Sequence, residues 1–241
     1  MKLKSLLVAV IAIPVVISCQ NSNSKVGKVI LKTETDSLSY ALGVNISSSF
    51  KNVKLDEINF KAIARAIQDV YSSDSSMIKM NDEEAIKYIQ DFFNRRDMRI
   101  AQENLEASNK FLDENKTKEG VIVDSSGLQY KIVEEGTGPM PTAEDLVKVH
   151  YKGTLIDGTQ FDSSYDRGEP AQFKLNQVIP GWTIGLQKMK VGSKFILYIP
   201  SELGYGERVR QGSPIGPNQA LIFEIELLDI VKEKNQDSKK N

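Results

Sequence analysis

No proline or glycine interrupts the chain from Asn81 to Glu119, and from Gly120 onward the sequence pattern changes. Few features constrain a fold more than this. An unbroken stretch of good helix formers predicts one long helix. Asn81-Asp82-Glu83-Glu84 has the form of a capping box, with acidic side chains where the helix dipole favours them. Running to Lys118, the helix would be about 50 Å long. Its apolar positions are Ala85, Ile86, Ile89, Phe92, Phe93, Ile100, Ala101, Leu105 and Leu112, dense at first and sparse later. The charged later part fits a helix that bridges two bodies rather than one packed within either.

Two shorter helices are expected upstream. Leu38, Ala41, Leu42, Val44, Ile46 and Phe50 recur at helical spacing from Asp36, the expected N-cap, to Phe50. Phe60, Ile63, Ala64, Ile67, Val70 and Tyr71 follow behind Asn59, and Ser72-Ser73-Asp74-Ser75-Ser76 breaks the run. Two such helices are too short to bury much surface alone. A second copy of the chain would cover them, so a homodimer through residues about 30–95 is expected. The alternative is a helical cap on the C-terminal part of the same chain.

After Gly120 the period becomes two. Leu128–Val133, Leu146–Tyr151, Lys194–Ile199 and Leu221–Ile230 read as strands, and Asp157-Gly158 as a hairpin turn. Trp182–Met189 fits one short helix ended at Val191-Gly192. Antiparallel strands around a helix make this part α+β.

Charge and composition exclude some functions. The net charge of -1 has no basic stripe behind it, so nucleic acid is not an expected partner. Cys19 is the one cysteine and His150 the one histidine. No disulfide within the chain and no multi-thiolate zinc site is possible. His150 reads as a strand residue rather than a base or ligand. No metal or cofactor is implied.

At the N-terminus, Lys2 and Lys4 precede an apolar run from Leu6 to Ile17, too short to span a bilayer and suited to a secretory leader. Val16-Ile17-Ser18-Cys19 resembles the lipobox of bacterial lipoproteins. That resemblance implies lipidation of Cys19 after cleavage before it. The alternative is an ordinary leader with a chance cysteine. Polar residues 20–24 then read as a tether. By the same resemblance, Gln20 in place of Asp implies sorting to the bacterial outer membrane, with the side it faces open.

Four separated segments carry a second resemblance: VHYKGTLIDGTQFDSSYDRGEP, VIPGWTIGLQKMKVG, LYIPSELGYGE and ALIFEIELLDI. In this order and spacing they are similar to the FKBP-type peptidyl-prolyl cis-trans isomerases, over about residues 120–232. The preceding helices resemble the dimerisation region of the macrophage infectivity potentiator-like and FkpA-like subgroup. The family implies a pocket with Tyr151, Phe161, Asp162, Tyr205 and Phe223 as catalytic residues. It implies Arg167, Phe173, Val178, Ile179, Trp182 and Ile215 as substrate-binding residues. Trp182 would be the floor, Tyr205 a hydroxyl donor to a substrate carbonyl, and Ile179 a backbone amide donor. Ala171 stands where many members carry a pocket aromatic, which implies a more open wall. The loop Val209–Pro217 departs from the family pattern.

The expected organisation is therefore a leader at 1–18, a tether at 19–30, a helical dimerisation domain at 31–80, a connecting helix at 81–118, an isomerase domain at 119–232 and a polar tail at 233–241. The expected function is isomerisation of X–Pro bonds in unfolded or partly folded proteins outside the cytoplasm, with chaperone activity. The competing reading is a membrane-anchored, non-catalytic holdase.

Overall fold

The computed structural model describes residues 28–52, 55, 57–72, 76–209 and 212–231. The expected leader, Cys19 and the expected polar tail lie outside the described residues. Two compact units divide between Ala85 and Ile86.

The first unit contains helices α1 (Glu34–Asn52) and α2 (Phe60–Tyr71). The cap of α1 is Thr33, not Asp36. Thr33 Oγ1 accepts from the Asp36 N–H at 3.1 Å, and Asp36 Oδ2 accepts from the Thr33 N–H at 2.9 Å. Asp36 thus fills the third helical position of a capping box one turn earlier than expected. These hydrogen bonds from the Lys32 and Thr33 amides hold its carboxyl below the usual carboxylate range. Asn59 caps α2 as expected, accepting from the Ala62 N–H at 3.1 Å. Leu38, Leu42, Val44, Ile67, Val70 and Tyr71 all remain exposed.

Helix α3 (Asp82–Asn115) begins in the first unit and continues into the second. Its capping box is reciprocal: Asn81 Oδ1 accepts from the Glu84 N–H, and Glu84 Oε2 from the Asn81 N–H, both at 2.9 Å. The helix ends at Asn115 rather than Lys118: the Thr117 and Lys118 amides donate three residues back, to the Glu114 and Asn115 carbonyls, and Gly120 follows at φ 78°. Its later part is not a bare bridge. Ser108, Leu112 and Asn115 are buried in the second unit, and Phe111 lies 6.1 Å from the Tyr198 ring. Asn115 Nδ2 donates to Gln129 Oε1 at 3.0 Å, and Gln129 Nε2 donates to the Leu112 carbonyl at 2.9 Å. Much of this contact is polar, so hydropathy alone does not reveal it.

The second unit is built on an antiparallel sheet of β1 (Val121–Val123), β2 (Gln129–Glu134), β3 (Leu146–Leu155), β4 (Gln160–Ser163), β5 (Ala171–Lys174), β6 (Lys194–Ile199) and β7 (Leu221–Val231). The order is β1-β2-β6-β7-β3-β4, with β5 also paired to β3. The long strands alternate as their sequences demand. Val147, Val149, Tyr151, Gly153 and Leu155 of β3 face inward, as do Leu221, Phe223, Ile225 and Leu227 of β7. Each buried leucine among them contributes about 2 kcal/mol. The β3–β4 hairpin turns at Asp157-Gly158, where Gly158 has φ 86° and Asp157 Oδ1 accepts from the Thr159 N–H at 2.8 Å.

Helix α4 (Pro180–Leu186) lies across the inner face, two residues earlier than its expected start. Pro180 takes the first helical position, where its fixed φ suits the helix and its missing N–H costs nothing. The two glycines of α4 let it sit close to the sheet. A methyl at Gly181 would come within 2.5 Å of the Ile199 side chain, and one at Gly185 within 2.5 Å of Leu197. This approach sets Trp182 against the aromatic side chains of β3 and β7.

Candidate active site

A cavity of about 450 Å³ opens between α4, the inner face of the sheet and two loops. Trp182 is its buried floor. Tyr151, Phe173 and Phe223 meet the indole edge-on, with ring centres 5.1, 5.3 and 5.2 Å away. Phe161 stands edge-on to Phe223 at 5.4 Å. Such T-shaped pairs are the favoured geometry for rings with negative faces and positive edges.

The arrangement depends on alternation. Tyr151 and Phe223 are inward residues of neighbouring strands, and Gly153 lies beside Phe223 in the β3–β7 register. A methyl at Gly153 would fall within 2.6 Å of the Phe161 ring and 2.8 Å of Phe223. Glycine there makes room for both rings.

One rim is polar. The Tyr151 hydroxyl donates to Asp162 Oδ2 at 2.5 Å, and Arg167 Nη1 donates to Asp162 Oδ1 at 2.6 Å. Arg167 Nη2 also donates to the Tyr151 oxygen at 2.8 Å, and the Ser163 N–H donates to Asp162 Oδ1 at 2.8 Å. Burial pushes the Asp162 carboxyl upward, but the bonds from Tyr151 and Arg167 outweigh it and hold the group below its ordinary value. Burial, then the Asp162 carboxylate, push the Tyr151 phenol up to about 12. The rim therefore carries an ionised carboxylate and a protonated phenol at neutral pH.

Across the cavity stands Tyr205, about half exposed, its phenol raised by burial and then by the Asp162 charge. Its hydroxyl has no hydrogen-bond partner among the described residues. The Ile179 N–H likewise donates to no acceptor among them, although the Ile179 carbonyl accepts from Trp182 and Thr183. The site thus offers an apolar box with donors at its edge.

The structure brings Tyr151, Phe161, Asp162, Phe173, Val178, Ile179, Trp182, Tyr205, Ile215 and Phe223 together on the cavity wall. Arg167 is not on the wall; it braces Tyr151 and Asp162 from outside. Ala171 does not line the cavity either. Phe173, two residues further along β5, does line it. Gln177, Ser213 and Pro214 also line the cavity, and the sequence reading did not single them out. Pro214 lay in a segment already marked as departing from the family pattern; Gln177 sits in a short turn with no distinguishing signal. His150 is a strand residue of β3, with Nδ1 3.0 Å from Ser164 Oγ and its ring stacked 4.6 Å from Tyr165.

Comparison with known proteins agrees with this geometry. Residues 138–228 match the model of the FKBP-type peptidyl-prolyl cis-trans isomerase, and residues 35–132 match that of the domain amino terminal to it. The chain is 42% identical over 207 residues to the outer membrane protein MIP of Legionella longbeachae, covering 84% of this chain and 88% of that one. It is 39% identical over 229 residues to the FKBP-type isomerase FkpA of Escherichia coli K12, covering 88% and 82%. The crystal structure of FkpA from Escherichia coli superposes with a TM-score of 0.66 at 36% identity, covering 83% of this chain and 98% of that chain. The aromatic cavity falls inside the first matched region and α1, α2 and α3, from Thr35 onward, inside the second, and the chain belongs to the FKBP-type peptidyl-prolyl cis-trans isomerases.

Proposed function

We propose that the cavity floored by Trp182 holds the proline ring of an extracytoplasmic protein substrate while the preceding amide rotates. The observation that carries this reading is the aromatic box beside the Tyr151–Asp162–Arg167 rim. Rotating an X–Pro bond must break amide resonance, and the barrier for peptide bonds is about 18–20 kcal/mol. The twisted amide has less charge separation than the planar one. An apolar wall therefore favours it relative to water, which is selective binding of the transition state. Phe161 and Phe223 grip the ring. The Tyr205 hydroxyl and the Ile179 N–H donate to substrate carbonyls on either side. Asp162, kept ionised by Arg167, faces the amide carbonyl carbon as it twists. Stabilisation of about 5–6 kcal/mol would accelerate exchange about 10⁴-fold.

Around this site the chain works as a lipid-anchored homodimer, held by Cys19 at the bacterial outer membrane. The Ser18-Cys19 junction and the exposed apolar faces of α1 and α2 support the anchor and the dimer respectively. No helix among the described residues is long and apolar enough to cross a membrane. Unfolded and partly folded proline-containing proteins are the substrates, and chaperone activity accompanies isomerisation. A second reading, a non-catalytic holdase, is favoured by those same exposed faces, which catalysis does not require.

A proline-limited peptide assay separates the two. Wild-type chain accelerates exchange, and Phe161→Ala and Asp162→Ala each lower kcat/KM on the order of 10²-fold while aggregation suppression persists. Unchanged rates in both variants would contradict the assigned site.

A further inference from the structure

The cavity has a roof of two loops, one carrying Tyr205 and one carrying Ser213, Pro214 and Ile215. Neither belongs to the sheet, so something else must hold them. Asn218 is the knot. It is the one non-glycine residue with positive φ among the described residues, at 55°. Its N–H donates to the Gly206 carbonyl at 2.8 Å, tying the second loop to the residue after Tyr205. Gln219 Oε1 accepts from the Gly216 N–H at 2.6 Å and closes the same loop on itself.

Helix α3 holds the knot from outside. Ser108, 2% exposed, accepts from the Ala220 N–H at 2.8 Å and donates to the Asn218 carbonyl at 3.0 Å. Asn104 Nδ2 donates to the Pro217 carbonyl at 2.8 Å. Asn218 Nδ2 reaches back to the Ala101 carbonyl at 3.4 Å. Three backbone groups of the roof segment, at 217, 218 and 220, thus find their partners in two side chains of one helix face. A buried backbone group without a partner is costly, so the loop conformation depends on these two side chains.

We propose that the second half of α3 is a positioning element of the active site: Ser108 and Asn104, acting through Asn218, fix the loops that carry Tyr205 and Ile215 over the bound peptide. This deepens the isomerase reading and rests on it. Neither residue touches substrate. Loosening the roof weakens contacts made equally to planar and twisted peptide, so its signature is a higher KM with kcat little changed.

The test uses full-length chain and a series of proline tetrapeptides varied at the residue before proline. Ser108→Ala removes both hooks. Asn104→Asp keeps the shape of a half-buried side chain but turns a donor facing the Pro217 carbonyl into an acceptor. Both are expected to raise KM about fivefold or more, with kcat within about twofold, and to flatten the preference along the series. The inference is overturned if both variants fold and keep wild-type KM values, or if kcat and KM move only in step with lost thermal stability. If Ser108→Ala does not fold, Asn104→Asp decides alone by the same criteria. An inactive wild-type chain would sink the isomerase reading and this inference with it; an active one with unaltered variants overturns this inference only.

Discussion

The sheet unit and the two N-terminal helices treat apolar side chains in opposite ways. In the sheet, Val147, Leu197, Ile199, Ile225 and Leu227 have no exposed surface. In α1 and α2, residues of the same kind face solvent, with Leu38 and Val70 each 60% exposed. Both sets follow the period of their own element, so local patterning is equally good in each. What differs is closure. Seven strands and a helix can wrap a core within one chain, and two short helices cannot. The sheet unit closes its apolar surface within the chain, whereas the apolar faces of α1 and α2 stay open to solvent.

That contrast can be tested by comparing equivalent changes in the two regions. The largest effect is expected for truncating a buried ring: Phe223→Ala destabilises the sheet unit by about 3–5 kcal/mol and abolishes activity. Phe60→Ala in α2, at concentrations dilute enough to keep the chain monomeric, leaves the thermal stability of that unit within about 0.5 kcal/mol. Chemical denaturation with separate probes for the two units checks this, and equal losses would remove the distinction. Next comes assembly. Ile67→Asp with Val70→Asp is expected to weaken self-association roughly hundredfold, giving monomers by light scattering, while kcat/KM on short peptides stays within about twofold. A wild-type chain that is already monomeric at micromolar concentration would break the comparison.

Smaller effects refine the sheet side. Gly153→Ala is expected to cost about 1–3 kcal/mol through overpacking against Phe161 and Phe223, and to lower activity more than stability alone explains. An unaltered melting temperature would show that the rings yield freely. The smallest effect is with pH. The folded-state value of Asp162 is depressed, so its charged form contributes fully above the unfolded value of about 3.9, and that contribution is lost only as pH falls through the lower folded value. With Tyr151 protonated up to about 12, isomerase rate is expected to stay flat from pH 8 down to pH 5, checked by peptide assay across that range.

Much of the sheet was legible because burial alternates along β3, β6 and β7, and alternation is a property of sequence. The pocket was legible for another reason: its residues lie far apart in the chain but within four recognisable segments. Strands β1, β4 and β5 were not read as strands, being three or four residues long, too short for a period to show. Thr33 was missed as a cap because Asp36 is an equally good candidate by type, and only the backbone decides between them. The docking of α3 was missed for a more general reason. Ser108 and Asn115 are polar residues that look solvent-facing in sequence, but they are buried because they pair with carbonyls, amides and Gln129 of the second unit. A helix that binds through hydrogen bonds has no apolar stripe to announce it. One practical result is that a fragment beginning at residue 119 would cut away part of the site's support.

Strand β7 lies between β6 and β3 at the centre of the sheet, yet it follows every other strand in chain order. A chain emerging from its N-terminus therefore has β3 and β6 available before the strand that joins them exists. Phe223, the ring shared by floor and wall, arrives with that strand. Partial products of synthesis can hold two half-sheets but no closed cavity, and the long-range pairings that complete it form late and slowly. The aromatic cavity therefore cannot close until the last strand to be made has inserted between the two it joins.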